Sequence, residues 1–200
     1  MERVFLVKPP RILWPKSKEV SWETLFDVIY SLDQVGVIHP QLKTNTVDPW
    51  DPCWFNGEVK TSCMKIGVTI RHVNKDFWNI WPQMINRKTM IITNPPFSPK
   101  WLKPFFVFLA TLDLPFLVIL PGNISDRLYF GNFLFDRIHR KSELYIFSLH
   151  KAFRMKQKGG RITGFSGLTI CAYYPKSWKF KLDKTKFLRV ITKKCLHIRS

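Results

Sequence analysis

Five large apolar residues in a row, Phe116-Leu117-Val118-Ile119-Leu120, leave no polar position to face water. Successive side chains of a strand point to opposite faces, so such a run fits a strand covered on both sides. Thr89-Met90-Ile91-Ile92-Thr93, three apolar residues between two threonines, reads as a second strand. Residues 68–73 and 144–149 add strand segments, residues 167–174 are rich in β-formers, and residues 45–52 are turn-rich around a short strand. Helical patterns stand between them. Trp22, Leu25, Phe26, Ile29 and Leu32 recur at helical spacing behind Ser21, a ready N-cap. Residues 58–66 read as a short helix ended by Gly67, residues 101–112 as a helix after Pro99, and residues 125–135 as another. Strands alternating with helices across short connections define an α/β sandwich with a mostly parallel sheet. Ligands of such sheets bind beyond the carboxyl ends of the strands.

Composition narrows the function. The chain has 200 residues, 46% of them hydrophobic, which supplies one sizeable core and excludes disordered and fibrous classes. Lys and Arg number 32 against 14 Asp and Glu, a formal charge of +18. This excess predicts a polyanionic partner, nucleic acid first and an acidic membrane surface second. It is unevenly placed: residues 151–200 carry 14 basic residues and a single acid, Asp183, interleaved with Tyr173, Tyr174, Trp178 and Phe180. Cations mixed with rings suit phosphate contacts and base stacking better than they suit a solvated tail. We therefore read residues 1–150 as the α/β domain, including the amino-terminal helix. Residues 151–200 read as a basic, aromatic-rich extension packed on that domain or continuing it.

Cys53, Cys63, Cys171 and Cys195 are scattered, with no CxxC and no histidine at metal-ligand spacing. No metal site is expected, and a reduced intracellular setting, cytoplasm or nucleus, is the default. The longest apolar stretch, residues 105–120, is interrupted by Asp113 and Pro115, so a soluble, non-secreted protein without a membrane partner is expected.

The second strand leads straight into Asn94-Pro95-Pro96-Phe97. Prolines stop a strand well, and termination alone would explain their presence. The tetrapeptide also resembles the catalytic motif of the amino-methyltransferases, which methylate adenine N6, less often cytosine N4, using S-adenosylmethionine. That family accepts Asp, Asn or Ser at the first position and Tyr or Phe at the fourth. The resemblance implies a class I, Rossmann-like methyltransferase sandwich with helices on both faces of the sheet, and catalytic roles for Asn94, Pro95, Pro96 and Phe97. The chemistry suits these residue types. An adenine amino group is a poor nucleophile because its lone pair is delocalised into the ring. Acceptors on its N–H bonds, the Asn94 side-chain oxygen and the Pro95 carbonyl, would draw the nitrogen towards sp³ geometry. Two prolines stiffen the corner, so the acceptors are positioned in advance. Phe97 offers a flat face to a base taken out of its stack.

Other segments carry the resemblance less sharply. Asp51-Pro52-Cys53-Trp54-Phe55-Asn56-Gly57 stands where the family has its first cofactor-binding loop, which implies S-adenosylmethionine contacts for Asp51, Pro52, Phe55 and Gly57. Of the glycines expected there, only Gly57 is present. The acid that holds the cofactor ribose should fall near the end of residues 68–73, where Arg71, His72 and Asn74 stand instead. Asp76-Phe77 resembles the pair that contacts the cofactor adenine by hydrogen bond and stacking. The motif order leaves target recognition to the carboxyl end. Lys100, Lys156, Lys158, Arg161, Lys176 and Lys179 are the expected nucleic-acid contacts, with Gly159-Gly160-Arg161 either a hairpin turn or a phosphate clamp.

The expected function is methyl transfer from S-adenosylmethionine to adenine N6 in nucleic acid, DNA favoured over RNA. Fifty residues leave little room for a recognition domain, so a partner subunit supplying target recognition is one expectation. The alternative is a catalytically inactive, methyltransferase-fold, nucleic-acid-binding subunit of a larger complex, which the depleted glycine loop and absent ribose acid favour.

Overall fold

The computed structural model describes residues 47–53, 58–65, 67–139, 143–149, 153–156, 162–165 and 167–175. The expected helix around Trp22–Leu32, together with Phe55, Gly57, Lys158, Arg161, Lys176 and Lys179, lies outside them.

Burial on both faces organises the described chain. Strand β3 (Thr89–Thr93) is buried at every position, and β4 (Phe116–Pro121) at all but its last. The helices between strands follow in chain order. Strand β1 (Asp48–Asp51) leads through α1 (Glu58–Met64) to β2 (Arg71–His72), and α2 (Phe77–Met84) returns to β3. Helix α3 (Pro99–Thr111) joins β3 to β4, and α4 (Leu128–His139) joins β4 to β5 (Glu143–Leu149) after a 3₁₀ turn at Ile124–Asp126. A hairpin of β6 (Phe153–Lys156) and β7 (Ile162–Phe165) precedes β8 (Leu168–Tyr174).

Among the described residues the sheet has six strands in the order β2-β1-β3-β4-β8-β5. Neighbours from β2 to β4 are parallel, while β8 runs antiparallel to both β4 and β5. This is a mixed α/β architecture with a mostly parallel sheet. Strand β8 comes from residues 151–200 and lies inside the sheet, so at residues 168–174 that segment continues the α/β domain.

One row of partners crosses the sheet on a single face: Trp50 opposite Ile91, Ile91 opposite Phe116, Phe116 opposite Tyr173. Helices α2, α3 and α4 cover this face with Phe77, Phe105, Phe106, Phe108, Phe130 and Phe133 in one buried cluster. The rings meet mostly edge-on or tilted, as between Phe77 and Phe108 at 4.8 Å and between Phe106 and Phe133 at 4.9 Å. Right-handed crossovers place α1 on the opposite face, because the chain moves outward from β1 to β2 but inward afterwards. Val59 and Cys63, the buried residues of α1, accordingly lie outside the aromatic cluster.

Several local expectations change. The strand expected over 68–73 shrinks to Arg71–His72, and the helix expected over 125–135 becomes the 3₁₀ turn followed by α4. Helix α2 has no counterpart in the sequence reading. Its sequence FWNIWPQM carries Pro82 inside and no charge to mark a solvent face. Asp76 starts it, its carboxylate accepting from the Trp78 backbone N–H at 3.2 Å, and the aromatic cluster holds it in place.

Arg137 is the unexpected core residue. Fully buried in α4, it donates through Nη2 to the carbonyls of Leu109 and Leu112, the latter at 2.8 Å. Those carbonyls close the end of α3, where a helix leaves acceptors unpaired. Its guanidinium also lies 4.6 Å from the Tyr173 ring centroid and 5.6 Å from that of Phe133.

Candidate functional site

Chain direction in the sheet reverses at β1. From β1 the chain goes outward to β2, and from β3 it goes the other way to β4. The segments leaving the carboxyl ends of β1 and β3 therefore diverge. A crevice at such a switch point is where open α/β sheets bind ligands. Two of the segments singled out in the sequence meet there: Asp51-Pro52 at the end of β1, and Asn94-Pro95-Pro96-Phe97 directly after β3.

The corner after β3 is well packed. Asn94, Pro95 and Pro96 are buried, and Phe97 is half-buried. The Asn94 side-chain oxygen is sealed from solvent and has no hydrogen-bond partner among the described residues. Buried acceptors are normally paired, and leaving one unpaired costs about 1–3 kcal/mol. This is the feature of the corner that strand termination does not explain.

Next to it is a buried polar network that the sequence reading had not assembled. Asp51 Oδ1 accepts from the Thr93 hydroxyl at 2.6 Å and from the Cys53 backbone N–H at 3.0 Å. On the other side of the carboxylate, His72 Nδ1 lies 3.1 Å from Asp51 Oδ2, both side chains fully buried. The same ring nitrogen faces the Asp51 backbone carbonyl at 3.4 Å. Because the carboxylate rather than the imidazole receives the hydroxyl, Thr93 is held as a donor and not activated as a nucleophile. Burial, reinforced by the Asp51 charge, pushes the Cys63 thiol up to about 12, so it stays a neutral thiol. The signals available in sequence were the hydroxyl immediately before Asn94 and the histidine where an acid was expected.

The remaining expected site residues separate into distinct places. Phe77, the expected adenine contact, lies in the aromatic core. Completely buried, it packs against Trp50 at 5.8 Å, Trp78 at 4.5 Å and Phe108 at 4.8 Å, and has no open face on which an adenine could stack. The Asp76 carboxylate is likewise engaged, by the Trp78 N–H and by the Asn79 side-chain amide at 2.9 Å. Helix capping and core packing account for this pair. Arg71 serves the amino ends of the strands, its guanidinium bonding Asp48 at 2.5 Å, the Met84 carbonyl at 2.7 Å and Thr89 Oγ1 at 3.2 Å. Lys100 is exposed in the first turn of α3, its ammonium 5.8 Å from the Trp101 ring centroid, and Lys103 is exposed one turn on. Lys156 ends β6. Leu149 and Leu168, which flank the β6–β7 hairpin, are paired with each other, and Leu168 also pairs with Pro121 at the end of β4. The hairpin thus leaves the sheet from the carboxyl end, the end that carries Asn94.

Among the described residues no group of His, Cys, Asp and Glu could hold a metal ion, and no helix is long and apolar enough to cross a membrane. Comparison of the chain with protein-family models, curated proteins and solved structures returns no match.

Proposed function

We propose that the chain transfers a methyl group from S-adenosylmethionine to the exocyclic N6 amino group of adenine in nucleic acid, through a Rossmann-like methyltransferase site at the switch point between β1 and β3. The observation that carries this reading is the buried Asn94 oxygen without a partner among the described residues, at the carboxyl end of a fully buried strand. An acceptor in that position is completed by an N–H donor from a ligand, and an amino group presents one. The Asn-Pro-Pro-Phe resemblance points to the same chemistry.

S-adenosylmethionine, when bound, supplies an electrophilic methyl group on a sulfonium. A cationic donor suits a switch point whose buried acid is the Asp51 carboxylate, with Asp51 and Pro52 the residues that would hold it. The resemblance adds Phe55 and Gly57, which lie outside the described residues. At the corner after β3 Asn94 Oδ1 and the Pro95 carbonyl accept from the two amino N–H bonds and turn the nitrogen lone pair outward. The double proline fixes both acceptors, so little reorganisation is left for the transition state. Phe97, half-buried beside the corner, is the aromatic residue that would stack on a base. Lys100 in α3 and Lys156, Lys158, Arg161, Lys176 and Lys179 beyond it supply cations for the phosphates, DNA before RNA.

A second reading draws on one observation: β2 ends in His72, turned to Asp51, where the family would hold a ribose with an acid. On that reading the chain is an inactive nucleic-acid-binding subunit. Labelled S-adenosylmethionine incubated with duplex DNA, single-stranded DNA and RNA, followed by analysis for N6-methyladenine, separates the two. Modified adenine supports the enzyme. Salt-dependent nucleic-acid binding, with neither cofactor binding by titration calorimetry nor methyl transfer, supports the subunit and refutes the enzyme.

A further inference from the structure

Two loops that diverge from a sheet have no backbone bonds to each other, so something else must set their separation. In this chain the candidate is a single carboxylate. Asp51 Oδ1 is shared between the Cys53 N–H, at the start of the loop after β1, and the Thr93 hydroxyl, one residue before Asn94. These donors belong to the two segments that diverge beyond the carboxyl ends of β1 and β3. His72 at the end of β2 lies with Nδ1 3.1 Å from the second carboxylate oxygen and 3.4 Å from the Asp51 backbone carbonyl. Three strand ends therefore meet at one buried group. Packing alone does not require this arrangement. A buried carboxylate is costly to desolvate, and an apolar residue there would avoid that cost.

We propose that Asp51 is a positioning residue, a latch that fixes the spacing and orientation of Asn94 relative to the loop after β1 through Thr93 and Cys53, with His72 holding the carboxylate in place. Its role in catalysis rests on the methyltransferase reading; its role as a mechanical link does not. Loosening the Thr93 bond therefore loosens the Cys53 bond as well, although the two residues lie on different loops.

The test uses the full chain. Thr93→Val keeps the shape of the side chain and removes the hydroxyl, whereas Thr93→Ser keeps the hydroxyl and removes a methyl. Hydrogen exchange is followed at the amides of Cys53, Asn94 and Phe97, with the amides of β4 as an internal control. Loss of a buried hydrogen bond to a carboxylate should speed exchange in Thr93→Val roughly ten- to hundredfold at Cys53 as well as at Asn94 and Phe97, with β4 unchanged. Thr93→Ser should stay close to the parent. Where the parent transfers methyl groups, kcat of Thr93→Val should fall by a similar factor, with KM for nucleic acid within about twofold. Unchanged exchange at Cys53, or identical behaviour of the Val and Ser variants, overturns the latch. If Thr93→Val also opens β4, Asp51→Asn decides: faster exchange at Cys53 and Asn94 together supports the latch, and faster exchange at neither or only one overturns it. A parent chain that transfers no methyl group overturns the methyltransferase reading alone, since the exchange measurements still decide the latch.

Discussion

Replacing Asn94 with alanine should separate folding from function in opposite directions. The side-chain oxygen is buried without a partner among the described residues, and such an acceptor burdens the folded state by about 1–3 kcal/mol. Alanine removes that burden and gives up the packing of one small carboxamide, which we set at about 1 kcal/mol from typical single-substitution effects. The net expectation is a folding free energy unchanged or improved by up to about 2 kcal/mol. For a chain of this length each kcal/mol moves the melting midpoint by about 2–4 °C. Methyl transfer should move the other way. Removing an acceptor that acts mainly in the transition state costs on the order of 10²- to 10³-fold in kcat. Nucleic-acid affinity, which the phosphates dominate, should barely change. Thermal unfolding by circular dichroism, single-turnover methylation and a salt series of binding measurements read the three quantities. Asn94→Asp, which keeps an acceptor and is accepted by the family the motif resembles, should retain transfer. A fall of more than about 3 °C in Asn94→Ala, the signature of lost structural bonding worth about 1 kcal/mol, would refute the assignment, as would undiminished transfer.

The fold makes its own predictions. Arg137→Lys should destabilise by about 2 kcal/mol in urea unfolding, because a point-charged ammonium cannot bond the Leu109 and Leu112 carbonyls and also stack on Tyr173. Gly122→Ala should cost about 1–3 kcal/mol in the same assay, because a Cβ there would meet the Gly167 backbone at 2.7 Å where β4 and β8 come together. Burial raises the Cys63 and Cys171 thiols to about 12 from an ordinary 9.0. A group whose folded pKa is raised contributes stability below its unfolded pKa and loses it as pH rises towards the folded value, so unfolding free energy should decline between pH 9 and 12. At pH 8 iodoacetamide should leave both thiols unmodified until denaturant is added, as mass spectrometry of the labelled protein can show.

The parts of this fold written plainly in the sequence are those with one physical solution. The FLVIL run has no polar side to offer, so burial on both faces follows directly, and β4 stands where it lies. TMIIT, β-formers stopped by two prolines, becomes β3 with both threonine hydroxyls hydrogen-bonded. Helix α3 was legible because Pro99 opens it and Trp101, Leu102, Phe105, Phe106, Phe108 and Leu109 repeat with helical period. Helix α2 was not, because its aromatic residues and internal Pro82 give no helical preference of their own, and the contacts that stabilise it come from distant Trp50, Phe105 and Phe108. The same distance hid the Asp51 network: Thr93 stands 42 positions from its acceptor, and only the pairing of β1 with β3 brings the two together. Arg137 was hidden for another reason. An arginine on a helix reads as a solvent-facing charge, and only the docking of α4 against the end of α3 turns it into a buried cap. Asp76-Phe77 was legible but ambiguous, since a capping acid followed by a core aromatic has the same letters as an adenine-contacting pair.

These observations bear on why an unpaired acceptor can persist at the corner. A strained or unsatisfied group survives only where its surroundings leave it no alternative. Ile91, three residues before Asn94, is fixed in the row from Trp50 to Tyr173 under the aromatic cluster, so β3 cannot slip without exposing the face it shares with three helices. Thr93 is then tied to Asp51, and Pro95 and Pro96 remove the backbone N–H groups that could have turned back to satisfy the Asn94 oxygen. Each of these choices blocks one way of relieving the corner. The core supplies the stability that the corner gives up, and the oxygen stays buried without a partner among the described residues. Relieving the constraint at Thr93 should therefore let the Asn94 side chain find a partner within the protein, which is the structural reason for expecting the latch variant to lose activity before it loses its fold.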